Sequence, residues 1–481
     1  MSYFILHMDK EYIMFYCRDE ELHKLNKHYD NDAFECIIIY GRRRVGKTAL
    51  INEFCKDKPT IYYSALKATA AKNLSALSKA IHLFKEPEAT TFPEYQTFDD
   101  ALSEISRLAQ DQRIIFVIDE HPYLAKAEEA ISSLLQHIID HTWSNSKLYL
   151  ILCGSSMSFM EKQVLSDESP LYGRRTGQFK LEPLTYKETA IFSPNLSPTQ
   201  NALIYGITGG VPHYIRKLNV KDDVDEALLE NLFDRSSYLY EEPKNLLKQE
   251  LRETSQYSDI LSAIAEGASK LAEISSKCKL ETGACSKYLK TLRELGIVKR
   301  ERPLIHGNSK QTIYSIDDNF FRFWYRFVPN NTALIASGRI GRVYDRVIKP
   351  YLPDFMGFVF ERMCRDYLLY YANNLPFEIL SLGRWWGNNP IERKEIDIDI
   401  VGETLNVETG EESYIIGSCK YRNKQIGRDE LELLRQYAAV FAKGKKCYYV
   451  IFSKDGFTQG LHECAAAGDV ILFTLDDMMN V

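Results

Sequence analysis

Eight consecutive residues have the types and spacing to cradle a phosphate: Gly41, Arg42, Arg43, Arg44, Val45, Gly46, Lys47 and Thr48, with Ala49 next. Glycines at both ends let the backbone curl, so that successive N–H groups point inward at phosphate oxygens. Lys47 is then placed to reach the β and γ phosphates of a nucleotide, and Thr48 to offer a hydroxyl to Mg²⁺. The context fits. The apolar run Ile37–Tyr40 predicts a strand before the loop, and the residues after it predict a helix whose positive N-terminal end faces the phosphates.

Such a loop calls for an acidic strand. In "RIIFVIDEHPYL" (113–124) the continuous apolar run Ile114–Ile118 predicts a strand buried on both faces, with Asp119 at its C-terminal end. Asp119 is the expected Mg²⁺ partner, and Glu120 the group that polarises an attacking water. A third strand, "LYLILCGSS" (148–156), ends in Ser155 and Ser156, which could sense the γ-phosphate. The adjacent Arg174 and Arg175 could stabilise charge on the transferring group, from the same chain or a neighbour. Gly209, Gly210 and Pro212 predict a tight turn between helices.

A second set of chemical groups lies far downstream. In "EIDIDIV" (395–401) alternate residues share a face, so Glu395, Asp397 and Asp399 point one way. Lys420 ends the next strand, "YIIGSCKY" (414–421), and Glu361 lies on a helix ahead of both. Clustered carboxylates with a lysine suit metal-dependent phosphodiester hydrolysis. Ser418 stands two residues before Lys420, where such sites usually carry an acid, and a neutral hydroxyl is a weak metal ligand.

The elements that must position these groups suggest three domains: a P-loop core at 14–220, helices and a helix-turn-helix at 221–330, and an αβ tail at 332–481. In the middle part, Leu271, Ile274 and Cys278 give one helical face, and Cys285, Leu289, Leu292 and Leu295 another. The strands "GIVKRER" and "TIYSI", joined by a turn around "HGNSK", complete a wing. The helix near 284–295 would present Ser286, Lys287 and Lys290 outward, with Arg300 on the wing. Over 271–311 there are nine Lys and Arg against four Asp and Glu, a local excess of five positive charges in a chain of net −6. That patch suits DNA phosphates, although a protein partner is also open to it. The aromatic stretch "DNFFRFWYRFVPNN" (318–331) is expected to dock rather than to act as a tether. The segment "GETLNVETGEES" (402–413) reads as a polar loop.

The series "MFYCRDEEL", "YGRRRVGKT", "FVIDEHPYL", "LILCGSS", "LYGRRTG" and "TGGVPHY" resembles the archaeal-type prokaryotic ATPases, a STAND-like branch of the AAA+ superfamily. The resemblance spans roughly residues 14–330. It implies ATP as the nucleotide, an α/β AAA+-like core with a helical lid, and a place near the adenine for Arg18, Glu21 and Leu22. It also leaves Met14 as a possible start of the chain. The tail resembles the domain that accompanies these ATPases, distantly similar to PD-(D/E)XK nucleases. That likeness implies Asp397 or Asp399 as a metal ligand and Lys420 as the catalytic lysine.

The composition is that of a globular protein, 45% hydrophobic and 26% charged. The ten cysteines form no CxxC pair, which argues against a zinc site and for reduced thiols in a cytoplasmic protein. No apolar run reaches membrane-spanning length. The expected activity is ATP hydrolysis by a molecular switch that acts on DNA and can self-associate. Two alternatives stand beside it: a Mg²⁺-dependent nuclease regulated by ATP, and a non-catalytic scaffold that keeps ATP bound.

Overall fold

The computed structural model describes residues 17–305, 311–389, 394–442 and 444–480. Met14 and the turn at 306–310 lie outside the described residues. The chain forms two compact units, one ending at Leu184 and taking in Val211–His213, the other comprising Thr185–Gly210 and Tyr214 onward.

In the first unit five strands form one parallel sheet: β1 (Glu35–Tyr40), β2 (Thr60–Ser64), β3 (Ile115–Asp119), β4 (Tyr149–Gly154) and β5 (Gly177–Lys180). Their order is β2-β3-β4-β1-β5, so β4 lies between the phosphate-loop strand and the acidic strand. Every residue of β1, β3 and β4 is buried. Alternation explains the unbroken apolar runs. Cys36, Ile38, Phe116, Ile118, Leu150 and Leu152 pack on one face beneath Leu77, Ile105 and Leu135 from three helices. Ile37, Ile39, Ile115, Val117, Tyr149 and Ile151 pack on the other against Leu25, Leu50 and Phe54.

In the second unit, helices Leu271–Lys277 and Thr282–Glu294 precede an antiparallel hairpin of β6 (Val298–Glu301) and β7 (Ile313–Ile316). Cys285, Leu289 and Leu292 are buried, whereas Ser286, Lys287, Lys290 and Arg300 are exposed. Gly209 and Gly210 both take positive φ and end the Pro198–Thr208 helix before the next begins at Pro212. The aromatic stretch forms the Asn319–Phe327 helix and docks. Phe320, Phe321, Phe323, Trp324, Tyr325 and Phe327 are all buried, and the Trp324 indole donates to the Tyr240 carbonyl at 2.7 Å.

The tail sheet holds β8 (Phe377–Ile379), β9 (Gly383–Asn389), β10 (Lys394–Asn406), β11 (Glu412–Lys420), β12 (Cys447–Ser453) and β13 (Ile471–Thr474). Its order is β13-β12-β11-β10-β8, with β9 also paired to β10. Here the polar loop expected at 402–413 is corrected: β10 runs on to Asn406 and β11 starts at Glu412. The polar residues misled because Thr404 and Ser413 lie opposite one another, buried, and bond through their hydroxyls at 2.8 Å. No described helix is long and apolar enough to cross a membrane.

Candidate active site

The loop between β1 and the Lys47–Cys55 helix has the curl its glycines predict. A Cβ on Gly41 would lie 2.3 Å from the Leu181 carbonyl oxygen, so the close passage of the chain after β5 requires glycine there. Gly46 has a φ of +98°. Lys47 is buried, and its Nζ donates to the carbonyls of Gly41 at 2.9 Å and Arg42 at 3.0 Å. Burial pulls its ammonium below the usual lysine range, while Cys153, Glu120 and Asp119 hold it up. Thr48, at the start of the helix, donates to Asp119 Oδ2 at 3.2 Å across 71 positions of sequence.

Asp119 is the focus of the site. Its carboxylate also accepts from the Tyr62 hydroxyl at 2.7 Å and from the Glu120 N–H at 2.9 Å. Tyr62 was not among the residues read from the sequence; it reaches Asp119 because β2 neighbours β3 with Ser64 opposite Asp119. Glu120 takes the left-handed conformation at φ 53°, and both its oxygens accept from the Ser155 hydroxyl at 2.9 Å. Ser155 is thus brought to the acidic pair, bonded to Glu120. Arg43 donates to the Tyr123 hydroxyl at 2.6 Å. The buried Arg18 donates to the carbonyls of Glu182 and, at 3.4 Å, of Val45 within the loop, and pairs with Glu21 at 3.0 Å.

The two arginines expected to meet a phosphoryl group are engaged elsewhere. Arg174 makes a bidentate pair with Asp140, with both contacts at 2.7 Å. Arg175 donates to the Leu165 carbonyl at 2.9 Å.

The tail groups also come together. Asp399 Oδ2 accepts from the Cys419 N–H at 2.8 Å and from the Ser418 hydroxyl at 3.4 Å. Ser418 donates in turn to Glu430 Oε1 at 2.6 Å, and Lys420 Nζ lies 3.1 Å from the same oxygen. Glu430, from the Arg428–Phe441 helix, was missed in the sequence. Its signal was an acid in the helix that follows the Lys420 strand. Arg384 on β9 was also missed. Its Nη2 is 2.8 Å from Asp397 Oδ2, and its Nε is 3.3 Å from Glu361 Oε2, an ion pair without the alignment of a hydrogen bond. Arg365 Nη1 is 3.8 Å from the same Glu361 oxygen and donates to the Asp399 carbonyl at 3.0 Å. Burial pushes the Glu361 and Asp399 carboxyls up, with Arg384 and Lys420 respectively pulling them back. Glu395 is exposed on β10.

A parallel five-stranded sheet, a glycine-bounded loop gripping a helix start, and an acidic pair beside it define an AAA+-like P-loop NTPase core. Residues 15–218 match an ATPase domain found predominantly in Archaea. Residues 324–431 match a module of archaeal and bacterial proteins of unknown function. Over 474 residues the chain is 33% identical to the uncharacterized protein MJECL04 of Methanocaldococcus jannaschii, across 96% of this chain and 100% of that one. The chain belongs to the family of that protein, with an archaeal-type ATPase domain followed by this second module. A shorter match, 48% over 46 residues, links it to the uncharacterized ATP-binding protein MJ0423 of the same organism, over 10% of this chain and 78% of that one. Among solved structures, the Walker-type ATPase paby2304 of Pyrococcus abyssi shares the fold. Its TM-score is 0.52 at 19% identity, covering 67% of this chain and 99% of that one.

Proposed function

We propose that the protein is an ATP-hydrolysing molecular switch whose nucleotide cycle acts on its helix-turn-helix and tail. The observation that carries this reading is the meeting of Thr48 and Asp119, a hydroxyl and a carboxylate 3.2 Å apart at the mouth of a phosphate loop. That oxygen pair suits Mg²⁺, which keeps several waters and takes only one or two ligands from protein. Bound there, Mg²⁺ would neutralise charge on the β and γ phosphates.

The chain's own residues do the rest. Backbone N–H groups from Gly41 to Thr48 orient the phosphates. Lys47, held by two neutral carbonyls, exchanges them for phosphate oxygens. Glu120 polarises the attacking water, and Ser155 fixes the carboxylate that does so. Tyr62 keeps Asp119 turned toward Thr48. Of the two arginines, Arg175 is the one to consider for phosphoryl transfer, because the bidentate partner of Arg174 commits it to structure.

The Thr282–Glu294 helix and the β6–β7 hairpin support a winged-helix reading, with Lys287, Lys290 and Arg300 facing DNA phosphates. The order of helix Leu352–Tyr370, β10, β11, helix Arg428–Phe441 and β12 supports a restriction-endonuclease-like tail. Phosphate release measured with and without duplex DNA tests the whole reading. Turnover by the wild type, loss of it in Lys47→Ala and a change of rate with DNA are expected. Turnover that survives Lys47→Ala overturns the site, and indifference to DNA overturns the DNA-linked switch.

A further inference from the structure

The tail's likeness to metal-dependent nucleases implies a divalent cation among Glu361, Asp397, Asp399 and Lys420. The residues present do not fit one. A divalent ion needs carboxylate oxygens from separate elements free to converge on it at about 2.0–2.6 Å. Here one oxygen of each acid already faces a fixed partner: Glu361 Oε2 lies 3.3 Å from Arg384 Nε, Asp397 Oδ2 2.8 Å from Arg384 Nη2, and Asp399 Oδ2 accepts from the Cys419 N–H at 2.8 Å. Among the described residues, no group of three or more His, Cys, Asp or Glu is arranged to hold a metal ion.

The reason lies on β9. Arg384 reaches from that strand to two carboxylates on two other elements: Glu361 of the Leu352–Tyr370 helix at 3.3 Å and Asp397 of β10 at 2.8 Å. Bridging acids from different elements is the job a metal would do. Arg365 stands 3.8 Å from Glu361, and Lys420 stands 3.1 Å from Glu430. Three carboxylates, Glu361, Asp397 and Glu430, therefore face three cations, Arg384, Arg365 and Lys420. A divalent ion placed here would meet the Arg384 guanidinium, which does not give up its proton. The Arg384 side chain is only 13% exposed, so water screens that repulsion poorly.

The strand that carries Arg384 is itself held. The Leu304 N–H donates to the Arg384 carbonyl at 2.9 Å. The indoles of Trp385 and Trp386 donate to the carbonyls of Ile305 and Gln311, both at 3.1 Å. Lateral drift of the strand away from the cluster would break these bonds.

We propose that Arg384 is the resident counter-ion of the tail's carboxylate cluster. It takes the place a divalent cation would need, so the cluster binds no metal until that side chain is removed. This inference stands apart from the ATPase reading, because it concerns a different site.

Mn²⁺ binding to the full-length, nucleotide-free protein, followed by paramagnetic resonance of the free ion, tests it. Wild type and Arg384→Lys should show no Mn²⁺ site that depends on Asp399. Arg384→Gln should bind Mn²⁺ at least about tenfold more tightly than wild type, a difference of roughly 1.4 kcal/mol. Adding Asp399→Asn to it should abolish the gain. Wild-type binding that disappears in Asp399→Asn overturns the proposal, as does an Arg384→Gln protein that folds and gains no site. Should Arg384→Gln lose its near-ultraviolet dichroism, the wild-type and Asp399→Asn arms decide alone.

Discussion

Two clusters in this molecule use nearly the same parts and end in opposite states. Each gathers a lysine and two or more acids. In the P-loop site the acids accept from neutral donors: Asp119 from Thr48, Tyr62 and a backbone N–H, and Glu120 from Ser155. Lys47 rests on carbonyl oxygens. In the tail Asp399 also accepts from neutral donors, Ser418 and the Cys419 N–H, but Glu361 and Asp397 rest on Arg384, and Glu430 on Lys420. Neutral partners orient charge without cancelling it, so the first cluster stays available to a charged ligand. Ionic partners cancel it. Residue types alone therefore do not define a reactive site; what answers each charge does.

The contrast can be broken at either end. The largest effect is expected for Lys47→Ala, which removes the charge meant for the phosphates. ATP turnover should fall by about 10³-fold, on the order of 4 kcal/mol of transition-state stabilisation, in a steady-state phosphate-release assay. Glu120→Gln comes next, with kcat about 10²-fold lower, while a fluorescent ATP analogue still binds within a few-fold of wild type. Loss of binding instead would mean that Glu120 shapes the pocket rather than the chemistry.

In the tail the same kind of change should cost stability and no ATP turnover. Lys420→Met leaves the carboxylates of Glu430 and Asp399 without their cation. Urea unfolding should show a loss of roughly 2 kcal/mol, less than for a fully buried pair because Lys420 is 21% exposed. A variant as stable as the parent would mean that the cluster is not internally balanced. The smallest effect belongs to Tyr62→Phe, which deletes one neutral donor to Asp119. About 1 kcal/mol is expected, read as a several-fold rise in the Mg²⁺ concentration needed for half-maximal turnover.

Much of the P-loop site was legible because its signals are local. The glycines, lysine and threonine lie within one loop, and Asp119 follows a single apolar run. Tyr62 left no such trace: it lies 57 positions from its partner, and only the pairing of β2 with β3 brings them together. In the tail, period-two alternation correctly put the acids of 395–399 opposite the buried Ile396 and Ile398. Arg384 was invisible because "GRWWGNN", with glycines and asparagines, carries no strand pattern, yet it pairs with β10 as β9. Glu430 was hidden for a related reason, since helix and strand periodicities do not reveal which helical acid overhangs which strand end.

The attachment of the β6–β7 hairpin to β9 bears on how this chain can be dissected. Ile305, just past β6, is buried in the same apolar cluster as Ile396, Ile398 and Val401. A fragment stopped near residue 330 would carry away Ile305 and leave a hole among those side chains, while stranding the indole donors of Trp385 and Trp386. Protease protection should therefore treat hairpin and tail as one piece. Shuffling either one into another protein would require transplanting both.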